Sequence, residues 1–139
     1  MSFVLDNSVS SRWFFDDGGK SDIAYAERVL AALGEETAVV PATWGLEAAN
    51  VLARAEASGW ATKQRTERSL ALIRGLTIEA DEETYSRSLT DTLDIARRFK
   101  LSAYDASYLE LALRLDLPLA TLDEKLIKAS RKAGVERFP

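Results

Sequence analysis

The chain contains no cysteine and no histidine. Without thiols there is no disulfide framework, no thiolate metal centre and no Cys nucleophile, which agrees with a reducing compartment. Without imidazole the usual zinc and non-haem iron sites fall away, as do Ser-His-Asp and Cys-His schemes. Proline and glycine are sparse, at 3 and 7 residues, so the chain is neither low-complexity nor collagen-like. No apolar run reaches the roughly 18 uninterrupted residues that a membrane span requires, and the N-terminus lacks a basic stretch leading into an apolar segment with a cleavage site. A cytoplasmic protein with no membrane partner is expected. Basic charge is also in the minority: 18 Lys and Arg stand against 22 Asp and Glu, a formal net charge of −4. Taken over the whole chain, that balance disfavours a nucleic-acid partner.

What remains is an ordinary globular composition, 47% hydrophobic and 29% charged, over 139 residues, a length that fits one domain spanning 1–139. The basic residues gather in three places: Lys63, Arg65 and Arg68; Arg97, Arg98 and Lys100; and Lys125, Lys128, Arg131 and Lys132. Each cluster reads first as a solvated helix face.

Short apolar runs at residues 3–5, 38–40, 76–78 and 117–122 read as buried strands. Helical periodicity fills residues 21–33, 43–57, 62–74, 82–99, 102–115 and 123–132. Alternation of this kind predicts an α/β fold with a mostly parallel sheet. The stretch Asp16 to Lys20, DDGGK, lacks the spacing of a phosphate-binding loop and reads as a turn between two helical pieces.

Four acidic residues stand beside these apolar runs: Asp6, Glu47, Asp105 and Asp123. Each has a structural explanation. Asp6 follows the first strand, where Asp commonly caps a helix; Ser102 with Asp105 and Thr121 with Glu124 have capping-box spacing, which makes Asp123 a first-turn carboxylate. Glu47 fits that scheme less well, because it borders the apolar stripe of Trp44, Ala48, Val51 and Ala55. Asp105 heads a similar stripe through Leu109, Ala112 and Leu115. The placement of all four together points further. In open parallel sheets the ligand crevice lies beyond the carboxyl ends of the strands; Asp6 and Asp123 follow strands, while Glu47 and Asp105 begin helices. Independent caps need not converge, whereas an oxygen-only site for a hard cation, Mg²⁺ or Mn²⁺, requires it.

The segments LDNSV, Trp44 to Asn50 (W-x-x-E-x-x-N), LSAYDASYLELA at Leu101 to Ala112 and LATLDEKL at Leu119 to Leu126 resemble, in order and spacing, the successive motifs of PIN-domain proteins, particularly the VapC-type toxin ribonucleases. The resemblance spans nearly the whole chain. It implies a three-layer α/β/α fold with a mostly parallel central sheet, Mg²⁺- or Mn²⁺-dependent cleavage of RNA, a homodimer, and a small cognate antitoxin. Asp6, Glu47, Asp105 and Asp123 fall on the family's acidic positions, and Ser8 and Thr121 on its small hydroxyl positions. Asn7 departs from the small residue frequent there, and residues 60–74 carry no motif. On this reading Asp6, Asp105 and Asp123 hold the metal, Glu47 orients the attacking water or holds a second ion, and Ser8 and Thr121 donate to the carboxylates or cap helices.

Trp13, Phe14 and Phe15 either stack bases or fill a core or dimer contact. Two other functions stay open: a Mg²⁺-dependent phosphatase or phosphoacceptor domain, and a catalytically silent interaction module.

Overall fold

The computed structural model of the protein describes residues 1–15 and 18–139, so the two aspartates of the expected Asp16–Lys20 turn lie outside the described residues. β1 (Ser2–Leu5) leads into α1 (Asn7–Phe14) and α2 (Lys20–Ala32), and β2 (Thr37–Val40) into α3 (Trp44–Ala57) and α4 (Lys63–Arg74). After β3 (Ile78–Ala80) come α5 (Thr84–Arg87), a π-helical turn (Ser88–Thr92), α6 (Leu93–Phe99) and α7 (Ala103–Leu115). β4 (Leu119–Ala120) and α8 (Glu124–Ala133) complete the order. The result is the expected α/β architecture, a four-stranded parallel sheet flanked by helices.

The sheet order is β3-β2-β1-β4, with every pairing parallel. The chain therefore builds outward from β1 through β2 to β3, then returns to the opposite side of β1. That reversal makes the carboxyl ends of β1 and β4 a topological switch point, where a crevice opens because the flanking connections diverge. Phe3, Val4 and Leu5 are wholly buried, as a strand covered on both faces must be, which explains their unbroken apolar run.

Three expected elements are displaced, each for a local reason. β3 begins two residues late because the N–H of Leu76 is spent on the carbonyl of Ile73, finishing the turn after α4. The expected 117–122 strand shrinks to Leu119–Ala120: Pro118 has no N–H to give a ladder, and its carbonyl accepts from Val4 instead. The free edge of β4 is covered by the C-terminal segment, with Leu119 bonding to Glu136 and Phe138 while Phe138 stacks on Phe3 at 4.2 Å. The expected 82–99 helix is interrupted by the π-helical turn, so its two ends are short.

Trp13, Phe14 and Phe15 are not a base-stacking surface. Phe14 and Phe15 are buried, and the Trp13 indole N–H donates to the carbonyl of Ala26, pinning α1 to α2.

A charge network ties α7 to the loops at the carboxyl ends of β2 and β3. Arg114 donates to Glu110 one turn back, to Asp81 at 2.6 Å and to Glu83 at 3.2 Å. Asp81 also accepts from the Thr84 hydroxyl, whose oxygen in turn accepts the N–H of Ala42, just ahead of α3. Burial alone would raise the pKa of Asp81, but hydrogen bonds from Arg114, the Glu83 N–H and Thr84 outweigh it and hold that carboxyl below its ordinary value. Arg114, Asp81 and Glu110 side chains are only 13%, 8% and 6% exposed, so losing the cation leaves two buried carboxylates without a counter-charge. Arg114→Met should cost about 3 kcal/mol or more in urea unfolding at pH 7, since breaking a buried pair strands its partner. A variant within about 0.5 kcal/mol of the parent, the range of ordinary surface substitutions, would show that the network has no structural role.

Candidate active site

Asp6 follows β1 directly, held in the sheet by its own N–H donating to the carbonyl of Ala120. Its backbone occupies the N-cap position of α1, yet its side chain caps nothing. The carboxylate instead accepts two hydroxyl protons at one oxygen, Oδ2, from Ser8 at 2.6 Å and Thr121 at 2.7 Å. Each hydroxyl is itself oriented by a backbone donor: the N–H of Leu122 points at Ser8 Oγ, and that of Asp123 at Thr121 Oγ1. A hydroxyl has one proton to give, so both protons are committed to Asp6. Asp6 Oδ1 accepts no hydrogen bond from the described residues and is left as an available ligand oxygen.

Glu47 lies in the first turn of α3, which is anchored by the buried Trp44 indole donating to Ser10 Oγ of α1. Its Oε1 accepts the phenol of the fully buried Tyr108 at 3.0 Å. Asp105 sits in the first turn of α7, where Ser102 caps its backbone N–H. Asp123 is the N-cap of α8, its Oδ1 accepting from the N–H of Leu126. The expected Thr121–Glu124 capping box therefore does not form: Thr121 serves Asp6, and Asp123 does the capping.

The four carboxylates act on one another. Burial raises the pKa of Asp6 to about 6, against the lowering by Ser8 and Thr121, and the charges of Asp105 and Asp123 add to the rise. Glu47 is pushed up to about 7, first by burial and then by Asp6 and Asp105, despite the Tyr108 hydrogen bond. Asp105 is raised by burial and by Asp123, with Ser102 and Lys125 opposing. Asp81 in the Arg114 network is buried as well, but its cation pulls it the other way. Among the described residues the acids at the carboxyl edge form no ion pair, and Lys125 opposes the rise only at Asp105.

An oxygen-only set of coupled carboxylates, with Asp6 Oδ1 open, has the chemistry that a hard divalent cation requires. The expected convergence needs one correction. Among the described residues no group of three or more acids stands close enough to hold an ion as it lies. Like charges repel, and Glu47 and Asp123 turn to the phenol of Tyr108 and the N–H of Leu126. The residues fit the ion by charge and donor type; they are neighbours in the electrostatic sense and are not a closed coordination shell. Tyr108 went unassigned in the sequence, although it lies one turn after Asp105 on the same helix.

These shifts carry a sign. A carboxyl whose folded pKa is raised contributes stability that is fully present below its unfolded value and is lost as pH rises through the folded one. In EDTA the contributions of Asp6 and Glu47 should fall away from about pH 4 to about pH 7. The part carried by Asp6 is on the order of 3 kcal/mol. Urea unfolding of the parent and Asp6→Asn across that range checks it: the variant's stability should fall less with pH, and equal slopes would contradict the coupling.

Among the described residues no helix is long and apolar enough to cross a membrane. No curated protein matches the chain. In fold the chain is similar to the crystal structure of PAE2754 from Pyrobaculum aerophilum, with a TM-score of 0.67 at 20% identity, over 93% of this chain and 79% of that one. The model of the PIN domain matches residues 3–132, from β1 to the penultimate residue of α8 and so through all four acidic positions. The chain accordingly belongs to the PIN domain family, whose members are typically nucleases using divalent metal ions.

Proposed function

We propose that the protein is a Mg²⁺- or Mn²⁺-dependent endoribonuclease of the VapC type, the toxin of a type II toxin-antitoxin pair, acting in the cytoplasm as a homodimer. The observation that carries this reading is the coupled carboxylate set, which forms no ion pair among the described residues, at the switch point of a PIN sheet.

Asp6, Asp105 and Asp123 are the proposed ligands. A bound divalent ion supplies Lewis acidity at a phosphate oxygen and eases ionisation of water. Ser8 and Thr121 fix Asp6 Oδ2, so that Oδ1 faces its ligand role in one orientation. Tyr108 holds Glu47 Oε1, leaving Oε2 to orient the attacking water in line with the leaving oxygen and to take its proton. A carboxyl lifted to about 7 is matched to that transfer near neutral pH.

Tyr85 and Leu89 are 92% and 84% exposed, apolar surface that suits a second copy or an antitoxin. A small antitoxin fits the crevice if it places an Arg or Lys among the carboxylates, supplying the cation they lack. Membership of the PIN family sets aside the phosphatase or phosphoacceptor reading. With an acid at all four positions, a silent interaction module is not favoured.

The protein should cleave single-stranded RNA with Mg²⁺ or Mn²⁺ and not in EDTA. Asp6→Asn and Asp105→Asn should each lose more than about 100-fold in kcat/KM while keeping a cooperative melt, whereas Tyr108→Phe and Thr121→Ala should lose about 10- to 100-fold. Cleavage undiminished by EDTA or by either Asn variant would refute the proposal. Expression alone should arrest growth, and co-expression of the cognate antitoxin should restore it.

A further inference from the structure

Two of the three basic clusters, far apart in sequence, face one another in the fold. The C-terminal end of α6 and one side of α8 enclose a groove of about 720 Å³ whose walls include Arg98, Lys100, Lys125, Lys128 and Lys132, together with the half-buried ring of Phe99. No carboxylate lines it, in a chain whose net charge is −4. Lys125, Lys128 and Lys132 follow three- and four-residue spacing, so they share one exposed face of α8, while Leu126 and Ala129 are buried. None of the five cations forms a salt bridge with a described residue, whereas Arg87, Arg97 and Arg114 all do.

Lys100 adds an independent sign. It ends α6 at φ 55, the left-handed conformation that glycine takes at helix ends without strain. The sequence places a long cationic side chain there, at a cost that glycine would avoid. Lys125, which lines the groove, also lies near enough to act on the Asp105 carboxylate.

We propose that this groove is the track for the phosphate backbone of single-stranded RNA, delivering the strand to the carboxylate crevice, with the Arg98 guanidinium, which lies over the Phe99 ring 5.1 Å from its centroid, offering its plane to a base. The inference rests on the nuclease reading and extends it to a substrate path. Lys125 to Lys132 covers about 10 Å of helix axis, enough for more than one phosphate. A cationic groove with an aromatic wall binds single strands with little sequence preference and strong salt dependence. The alternative occupant, an acidic protein segment, would use the same charges but would not stack on the Arg98–Phe99 pair.

The test is anisotropy of a fluorescein-labelled oligouridylate in EDTA, titrated at several salt concentrations, with cleavage followed separately in Mn²⁺. Lys128→Gln with Lys132→Gln should weaken binding about tenfold or more and reduce the salt slope by about 1.4, since each phosphate contact on a single strand contributes about 0.7. Lys100→Gly should weaken binding and lower the slope by about 0.7 while its Tm stays level or rises, a combination that a purely structural lysine would not give. Cleavage of the dinucleotide UpU, too short to reach the groove, should match the parent in all variants. Unchanged affinity and salt slope in these variants would overturn the groove while leaving the nuclease intact. Displacement of the RNA by polyglutamate at equal charge concentration would also overturn it, in favour of an acidic protein partner. Charge-dependent RNA binding by a protein that cleaves with neither metal would support the groove and refute the nuclease reading instead.

Discussion

Negative charge left without a buried cation at the carboxyl edge of the sheet is the constraint on which the rest of the site depends. Burying a carboxylate is costly unless a donor or a cation compensates it, and the protein shows both outcomes. Asp81 is compensated by Arg114, and its pKa lies below the ordinary value. Asp6 and Glu47 receive only neutral hydroxyl donors, and their pKa values rise to about 6 and about 7. The contrast between two groups of acids in one molecule separates acids compensated by a cation from acids held only by neutral donors.

The scaffold holds that unfavourable arrangement by fixing each carboxylate from a different element. Two hydroxyls, one on α1 and one after β4, orient Asp6, and each is set by a backbone N–H of the loop leading into α8. A buried phenol from α7 fixes Glu47 on α3. The Arg114 network braces that same helix pair from behind, joining α7 to the loop just ahead of α3. A site built on several elements that share one sheet edge keeps its geometry only while those elements stay docked, so scaffold and chemistry are coupled through α7.

How far this was legible in the sequence depended on the range of the interaction. The parallel α/β fold follows from local patterns, apolar runs and helical stripes, and the same patterns put an acid at each of four junctions. Local hydrogen-bonding chemistry was read less well. Asp6 occupies a capping position without capping, and Asp123 caps where Thr121 has the motif, because Thr121 was already engaged by an acid 115 residues away. Spacing rules treat a hydroxyl as free for its neighbours, whereas the fold assigns its single proton by competition. Tyr108 with Glu47 and Arg114 with Asp81 are separated by 61 and 33 residues, beyond the reach of periodicity. The π-helical turn within 82–99 leaves no such mark either, since its residues suit a helix of either kind. The basic clusters were visible one at a time as helix faces; only the packing of α6 and α8 on the same helix, α7, brings two of them to one groove.

The most direct measurement of the central claim is thermal melting of the parent and Asp105→Asn, each in EDTA and in Mg²⁺ at neutral pH. If the four acids form one charge-coupled metal site, removing one charge relieves repulsion, and the variant melts at the parent's temperature or higher in EDTA. Mg²⁺ should then raise the parent's Tm, with a clearly smaller rise in the variant. If Asp105 only supports the start of α7, the variant should be equally destabilised in both buffers, by up to about 1 kcal/mol, with Mg²⁺ acting alike on both proteins. That second result would contradict the site.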